Sequence, residues 1–103
     1  MFIHRVRGFP APGKVPEFRA TLEEWVKKRQ GQGIDTSLAR QLFAPDGATF
    51  VVTTRFHSLA EYEDQTRKME ADPAYQALVA KLAPLTRAMA KFELMEVLVP
   101  FSR

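Results

Sequence analysis

The sequence predicts a single α+β domain of element order β-α-β-β-α-β, a four-stranded antiparallel sheet with its helices on one face. Three observations predict it. From Thr49 to Leu82 a strand, TFVVTTRF, runs straight into a capped helix, HSLAEYEDQTRKMEAD, and then into a second helix, PAYQALVAKL. Strand-like segments stand near Met1, Ser37 and Phe92, and a helical pattern surrounds Trp25. The 103 residues are 46% hydrophobic and 26% charged, ordinary proportions for one packed core, and no low-complexity linker divides them, so residues 1–103 are read as one domain.

Phe2 to Arg7 has the length and β-branched content of a short strand, and Gly8 to Gly13, with two prolines, reads as a loop. Pro16 suits the first turn of a helix and Glu17 complements its N-terminal dipole. Val15, Phe18, Leu22, Trp25, Val26 and Arg29 recur at helical spacing until Gly31 and Gly33 end it. Ser37 to Phe43 and Thr49 to Phe56 read as antiparallel strands joined through Pro45, Asp46 and Gly47, because Asp-Gly supplies the positive backbone dihedrals of a tight turn.

Ser58 and Glu61 form a capping box: the serine oxygen accepts from the third helical amide while the glutamate reaches back toward the cap. Leu59, Tyr62, Thr66 and Met69 make that helix's inner stripe. Asp72 and Pro73 restart the helix as N-cap and first residue, and Tyr75, Leu78, Val79 and Leu82 face inward as far as Pro84. Ala88 to Lys91 fits either state, and Phe92 to Val99 is the last strand. This order is that of a ferredoxin-like plait.

Composition narrows the function classes. With no cysteine, disulfides, thiolate metal sites and cysteine nucleophiles are excluded. MFIHRVRGFP reaches charge and proline too early for the apolar core of a signal peptide, and no apolar run approaches membrane-spanning length, so a cytoplasmic protein without membrane insertion is expected. The net charge of +3 and pI near 9.5 would permit nucleic-acid binding, but the cations are scattered. The cluster Lys27, Lys28 and Arg29 lies where a helix C-terminus favours positive charge. The RNA-recognition motif shares this topology, yet it needs exposed stacking aromatics, and Val51 and Thr53 fall on the face opposite Phe50 and Val52. No nucleic-acid partner is expected.

In the last strand Phe92, Leu94 and Leu98 alternate with Met95, Val97 and Val99, so both faces of the sheet read as covered. Helices on one face cover one side only. A homodimer joined sheet to sheet is therefore expected, closing an α+β barrel.

Pro12-Gly13-Lys14 with Pro16-Glu17-Phe18, Phe56-His57-Ser58-Leu59-Ala60-Glu61-Tyr62, and Ala71-Asp72-Pro73-Ala74-Tyr75-Gln76-Ala77 are spread from Pro12 to Ala77. In their order and spacing the sequence resembles the dimeric α+β barrel superfamily, and within it the NIPSNAP-like proteins. The resemblance implies a ferredoxin-like subunit that dimerises through its sheet, with a pocket between sheet and helices. The superfamily includes monooxygenases of aromatic polyketides that need no metal or cofactor, haem-degrading monooxygenases, and proteins with no established activity. Where the haem-degrading branch places its ligating histidine this chain has Val79, and where it has tryptophan one turn before the helical break this chain has Met69. Neither side chain supplies the nitrogen ligand, so the resemblance does not extend to haem degradation. No cofactor is expected.

Two histidines are the candidate proton acceptors, His57 where the third strand meets the helix and His4 in the first strand. A histidine just before a helix is more commonly an exposed flank of its cap. Neither has a carboxylate or second histidine at metal-ligand spacing, so no metal site is read. Trp25, Tyr62 and Tyr75, with Phe50, Val52 and Phe92, could line a pocket for a small hydrophobic ligand, although residues at such spacing usually form core. Arg5, Arg40, Arg55 and Glu96 are charges within strands, and pairing of Arg5 or Arg55 with Glu96 is expected. Gly31-Gln32-Gly33 follows a helix rather than a strand, the wrong context for a dinucleotide fingerprint, and no serine sits in a nucleophile elbow. Two functions stand at this point: binding or oxidation of a small aromatic molecule, or a non-catalytic homo-oligomeric interaction module.

Overall fold

A computed structural model describes residues 1–44 and 47–102. Strand β1 (Phe2–Pro10) leads to helix α1 (Val15–Gly31), then β2 (Thr36–Arg40), β3 (Phe50–Phe56), helices α2 (Leu59–Glu70) and α3 (Pro73–Leu82), a 3-10 turn (Ala83–Leu85) and β4 (Thr86–Glu96). The sheet order is β2-β3-β1-β4 and every neighbouring pair is antiparallel, giving the α+β plait that the element order predicts.

Residues paired across an antiparallel ladder share a face, so the register sorts the side chains. His4 stands opposite Thr54 and Leu94, Val6 opposite Val52 and Phe92, and Gly8 opposite Phe50. This set faces the helices. Ile3, Arg5 and Arg7 lie on the other face with Val51, Thr53, Arg55, Glu93 and Met95. The core forms where α1 crosses the sheet: Phe18 and Leu22 meet Phe50 and Leu85, with Val15, Leu38, Val52 and Leu82 packed around them. Phe18 and Phe50 tilt against each other at 5.8 Å between ring centroids, and each is only 2% exposed. Thr21 joins this buried stripe because its hydroxyl donates to the Glu17 carbonyl one turn back, at 2.8 Å.

Several boundaries differ from those the sequence suggests. Strand β1 continues through Gly8 to Pro10, since Gly8 pairs with Phe50 and Phe9 and Pro10 pair with Ala88 and Thr86 of β4, and a side chain at Gly8 would run into the Phe18 ring, its Cβ 2.7 Å from Cζ. Here glycine marks close packing rather than a loop. Helix α1 includes Gly31, and Gly33, with φ of +82°, follows the reversal. Strand β2 stops at Arg40, leaving Leu42 and Phe43 at 75% and 90% exposure. Of the expected turn, Pro45 and Asp46 lie outside the described residues, while Gly47 has φ of +91°.

The cap of α2 forms as expected, with Glu61 N–H donating to Ser58 Oγ at 3.1 Å, and the glutamate reaches one residue further back to accept from the His57 amide at 3.0 Å. Asp72 caps α3 through the Ala74 amide. Leu59 and Val79, expected to face inward, are about half exposed, since α2 meets the sheet chiefly at β3 and α3 packs against α1 and the 3-10 turn. The ambiguous stretch from Ala88 to Lys91 belongs to β4, and β4 ends at Glu96 rather than Val99.

Charge pairing also differs. Arg55 makes two hydrogen bonds to Asp35, at 2.8 and 3.1 Å, and Arg7 pairs with Glu93 at 3.3 Å. Glu96 stands opposite Phe2 on the helix side, the wrong face for Arg5 or Arg55.

Candidate functional site

The sequence-predicted residues separate into three places. Phe50 and Val52 belong to the core beneath α1. Trp25 packs edge-on against Tyr75 at 6.0 Å, joining α1 to α3, with Lys28 and Arg29 over its ring at 5.9 and 5.6 Å. The third group is His4, Tyr62 and Phe92.

Each member of that group is placed by a different element. His4 is on central strand β1, and its helix-facing register aims it at α2. Tyr62 is in the first turn of α2, which the Ser58 cap fixes at the end of β3. Phe92 comes from β4, one pair along from His4 in the ladder. The His4 ring lies 5.6 Å from Tyr62 and stacks with Phe92 at 6.1 Å, and Phe56 closes the back edge-on to Tyr62 at 5.3 Å. Sequence reading missed Phe56 and Leu94; the signal for both is ladder position, since Leu94 stands directly opposite His4.

The helices leave the β4 side of this cluster uncovered. Phe92 is 63% exposed and Leu94 43%, although both lie on the helix side of the sheet. The result is an open aromatic shelf with a half-buried imidazole at its inner end. Burial lowers the His4 pKa from its ordinary value of 6.5, because the apolar surroundings disfavour the imidazolium. At neutral pH the ring is uncharged and has one nitrogen able to accept a proton. A shelf of this kind can stack a flat apolar ring and hold its hydroxyl beside a base.

The lowered pKa has a testable sign. The unfolded chain binds a proton at His4 more readily than the folded one, so this residue's share of stability is fully present above pH 6.5 and is lost as pH falls toward the folded-state value. Chemical denaturation of wild type and His4→Phe across this range is expected to show a decline below pH 6.5 that the variant lacks; equal slopes in both proteins would contradict it.

His57 is exposed at the flank of the α2 cap, where its backbone amide serves Glu61. It does not join the shelf's ring contacts. Among the described residues no group of three His, Asp or Glu side chains could hold a metal ion, and no helix is long and apolar enough to cross a membrane.

A cleft of about 350 Å³ opens at the opposite edge of the sheet, between α1 and β2. Arg19, Glu23, Val26, Lys27 and Gln30 line it from α1, and Leu38, Ala39, Arg40 and Phe50 from the strands. The sequence signal for it is a second stripe on α1, Arg19, Glu23, Lys27 and Gln30, at steps of four, four and three.

Comparison with protein-family models found no match, and comparison with curated protein sequences found none either. Solved structures do match. An uncharacterised NIPSNAP domain protein from Burkholderia xenovorans superposes with a TM-score of 0.77 at 17% identity, over 98% of this chain and 100% of that one. A protein from Deinococcus radiodurans, provisionally assigned as an antibiotic biosynthesis monooxygenase, gives 0.76 at 17% identity, over 100% and 98%. Another structure, of an antibiotic biosynthesis monooxygenase, gives 0.71 at 18% identity, over 97% and 100%. Over essentially its full length, this chain has the ferredoxin-like α+β fold that NIPSNAP-domain proteins and antibiotic biosynthesis monooxygenases share.

Proposed function

We propose that this chain is a cytoplasmic homodimer that binds a small aromatic molecule on the shelf of His4, Tyr62 and Phe92 and promotes its oxidation by dioxygen without a metal or bound cofactor. The observation that carries this reading is an aromatic side chain left 63% exposed beside a half-buried neutral imidazole. Exposing Phe92 and desolvating His4 both disfavour the folded chain, and a bound ring makes use of both. Folds shared with monooxygenases are consistent with it, although the fold by itself names no reaction.

The chemistry follows from the base. A phenol stacked on Phe92 donates its hydroxyl in a hydrogen bond to the neutral His4 ring, which takes up the proton as the electrons pass to dioxygen, so that no free phenolate has to form first. With a hydroquinone, two electrons and two protons pass to dioxygen, leaving the quinone and hydrogen peroxide.

Titration with 2-naphthol followed by ligand fluorescence is expected to saturate, and Phe92→Ala to weaken binding about tenfold. His4→Gln should retain most of the binding and lose dioxygen uptake with 1,4-naphthohydroquinone. Binding that never saturates, or that ignores Phe92→Ala, would sink the reading.

The alternative, a non-catalytic interaction module, is favoured by one observation: Leu98, Val99 and Phe101 are 84%, 85% and 93% exposed next to an open sheet face bearing Ile3, Val51 and Met95. Both readings use a sheet-to-sheet dimer. Light scattering should give twice the chain mass for wild type and the monomer mass for Met95→Asp; a monomeric wild type at micromolar concentration would remove the dimer from either reading.

A further inference from the structure

We propose that the cleft between α1 and β2 is a second binding site, for a small molecule with a flat apolar body and an anionic head, of the aromatic carboxylate class. Its floor is apolar and fixed. Phe50 and Val26 are 2% and 4% exposed, and Leu38 packs against the same core. The rim is cationic: Arg19 and Lys27 reach it from α1, and Arg40 reaches it from the end of β2, on the helix-facing side.

Among the described residues lining the cleft, Glu23 is the one carboxylate, and it is already engaged. Arg19 Nε donates to it at 2.7 Å, and that hydrogen bond, helped by the charges of Arg19 and Lys27, holds its carboxyl below the usual carboxylate range. The carboxylate therefore stays ionised and offsets Arg19. The Gln30 amide is held elsewhere, donating to the Thr36 carbonyl at 2.9 Å. Lys27 and Arg40 are left to set the sign of the rim.

Cations scattered on a surface serve solubility, but these converge on a concavity of about 350 Å³ with an apolar floor. That volume lies within the range of small-molecule sites, and the lining is mixed, with Val26, Leu38, Ala39 and Phe50 beside the polar side chains of Arg19, Glu23, Lys27, Gln30 and Arg40. A planar guanidinium such as that of Arg40 matches a carboxylate in two parallel hydrogen bonds, which a point-charge ammonium cannot do, so Arg40 is assigned the head group and Lys27 the longer-range attraction. The cleft lies at the β2 edge of the sheet and the His4 shelf over β1 and β4, so the two sites share no lining residue.

The test titrates 2-naphthoate and its uncharged isostere 2-naphthamide into wild type, Arg40→Gln, Lys27→Gln and Phe92→Ala, by calorimetry. Arg40 and Lys27 are exposed, so their substitution is expected to leave the fold intact, as circular dichroism would verify. Wild type should bind 2-naphthoate saturably, Arg40→Gln about tenfold more weakly, and Phe92→Ala as wild type does. The amide should bind wild type no better than the carboxylate binds Arg40→Gln. Absence of saturation, equal affinity for acid and amide, or loss of binding in Phe92→Ala with retention in Arg40→Gln would each overturn the proposal. The last result would leave the shelf reading standing, and loss of 2-naphthol binding alone would leave this one standing.

Discussion

Replacing Phe50 with alanine is expected to lower the unfolding free energy by about 3–5 kcal/mol. Phe50 is 2% exposed and stands at the centre of the core, touching the Phe18 ring of α1 and facing the close approach at Gly8. Removing the ring forfeits its transfer out of water and leaves a cavity that β3 cannot close, since β3 is held in the ladder on both sides, by β1 and β2. Against a typical domain stability of about 5–15 kcal/mol the loss is a large fraction of the total. Urea denaturation measures it. A change below about 1 kcal/mol would mean that the core is not centred where α1 crosses β3.

Gly8→Ala is expected to destabilise by about 1–3 kcal/mol, against the sign of backbone propensity. In a strand interior alanine is favoured over glycine by about 0.5–1 kcal/mol, so propensity alone predicts a more stable protein. Packing reverses this. The new methyl carbon would lie 2.7 Å from Phe18 Cζ, closer than such atoms approach, and in a tight 3.2 Å contact with Cε1, and Phe18 is too enclosed to swing away. Shortening the obstacle supplies the control: in a Phe18→Leu background the Gly8→Ala penalty should shrink, a coupling that double-mutant analysis reads directly. A stabilised single variant would contradict the packing.

Gly8 also shows why part of the fold was not legible in the sequence. Gly-Phe-Pro reads locally as a loop, whereas pairing with distant β3 and β4 makes it strand and the ring arriving from α1 explains the glycine. Features carried by adjacent residues were legible: the Ser58 and Glu61 cap, the Asp72 restart, and the order of elements all rest on contacts within a few positions. Side-chain destinations were legible only as far as periodicity reaches. Tyr62 and Tyr75 both occupy inner helical positions, yet one meets His4 and the other Trp25, because α2 and α3 lie over different parts of the sheet and helix layer. Arg55 found Asp35 rather than Glu96 because ladder register, set by pairing between distant segments, decides which face a strand charge occupies. His4 was legible as a candidate, while its direction waited on that same register.

On the proposed reading, the shelf of His4, Tyr62 and Phe92 receives an aromatic ring. A crystal structure of the protein with 2-naphthol tests it most directly. The naphthyl ring is expected to stack on Phe92, with its hydroxyl about 2.6–3.2 Å from a His4 ring nitrogen. A ring seated elsewhere, for example against Trp25 and Tyr75, with the shelf bare, would contradict it.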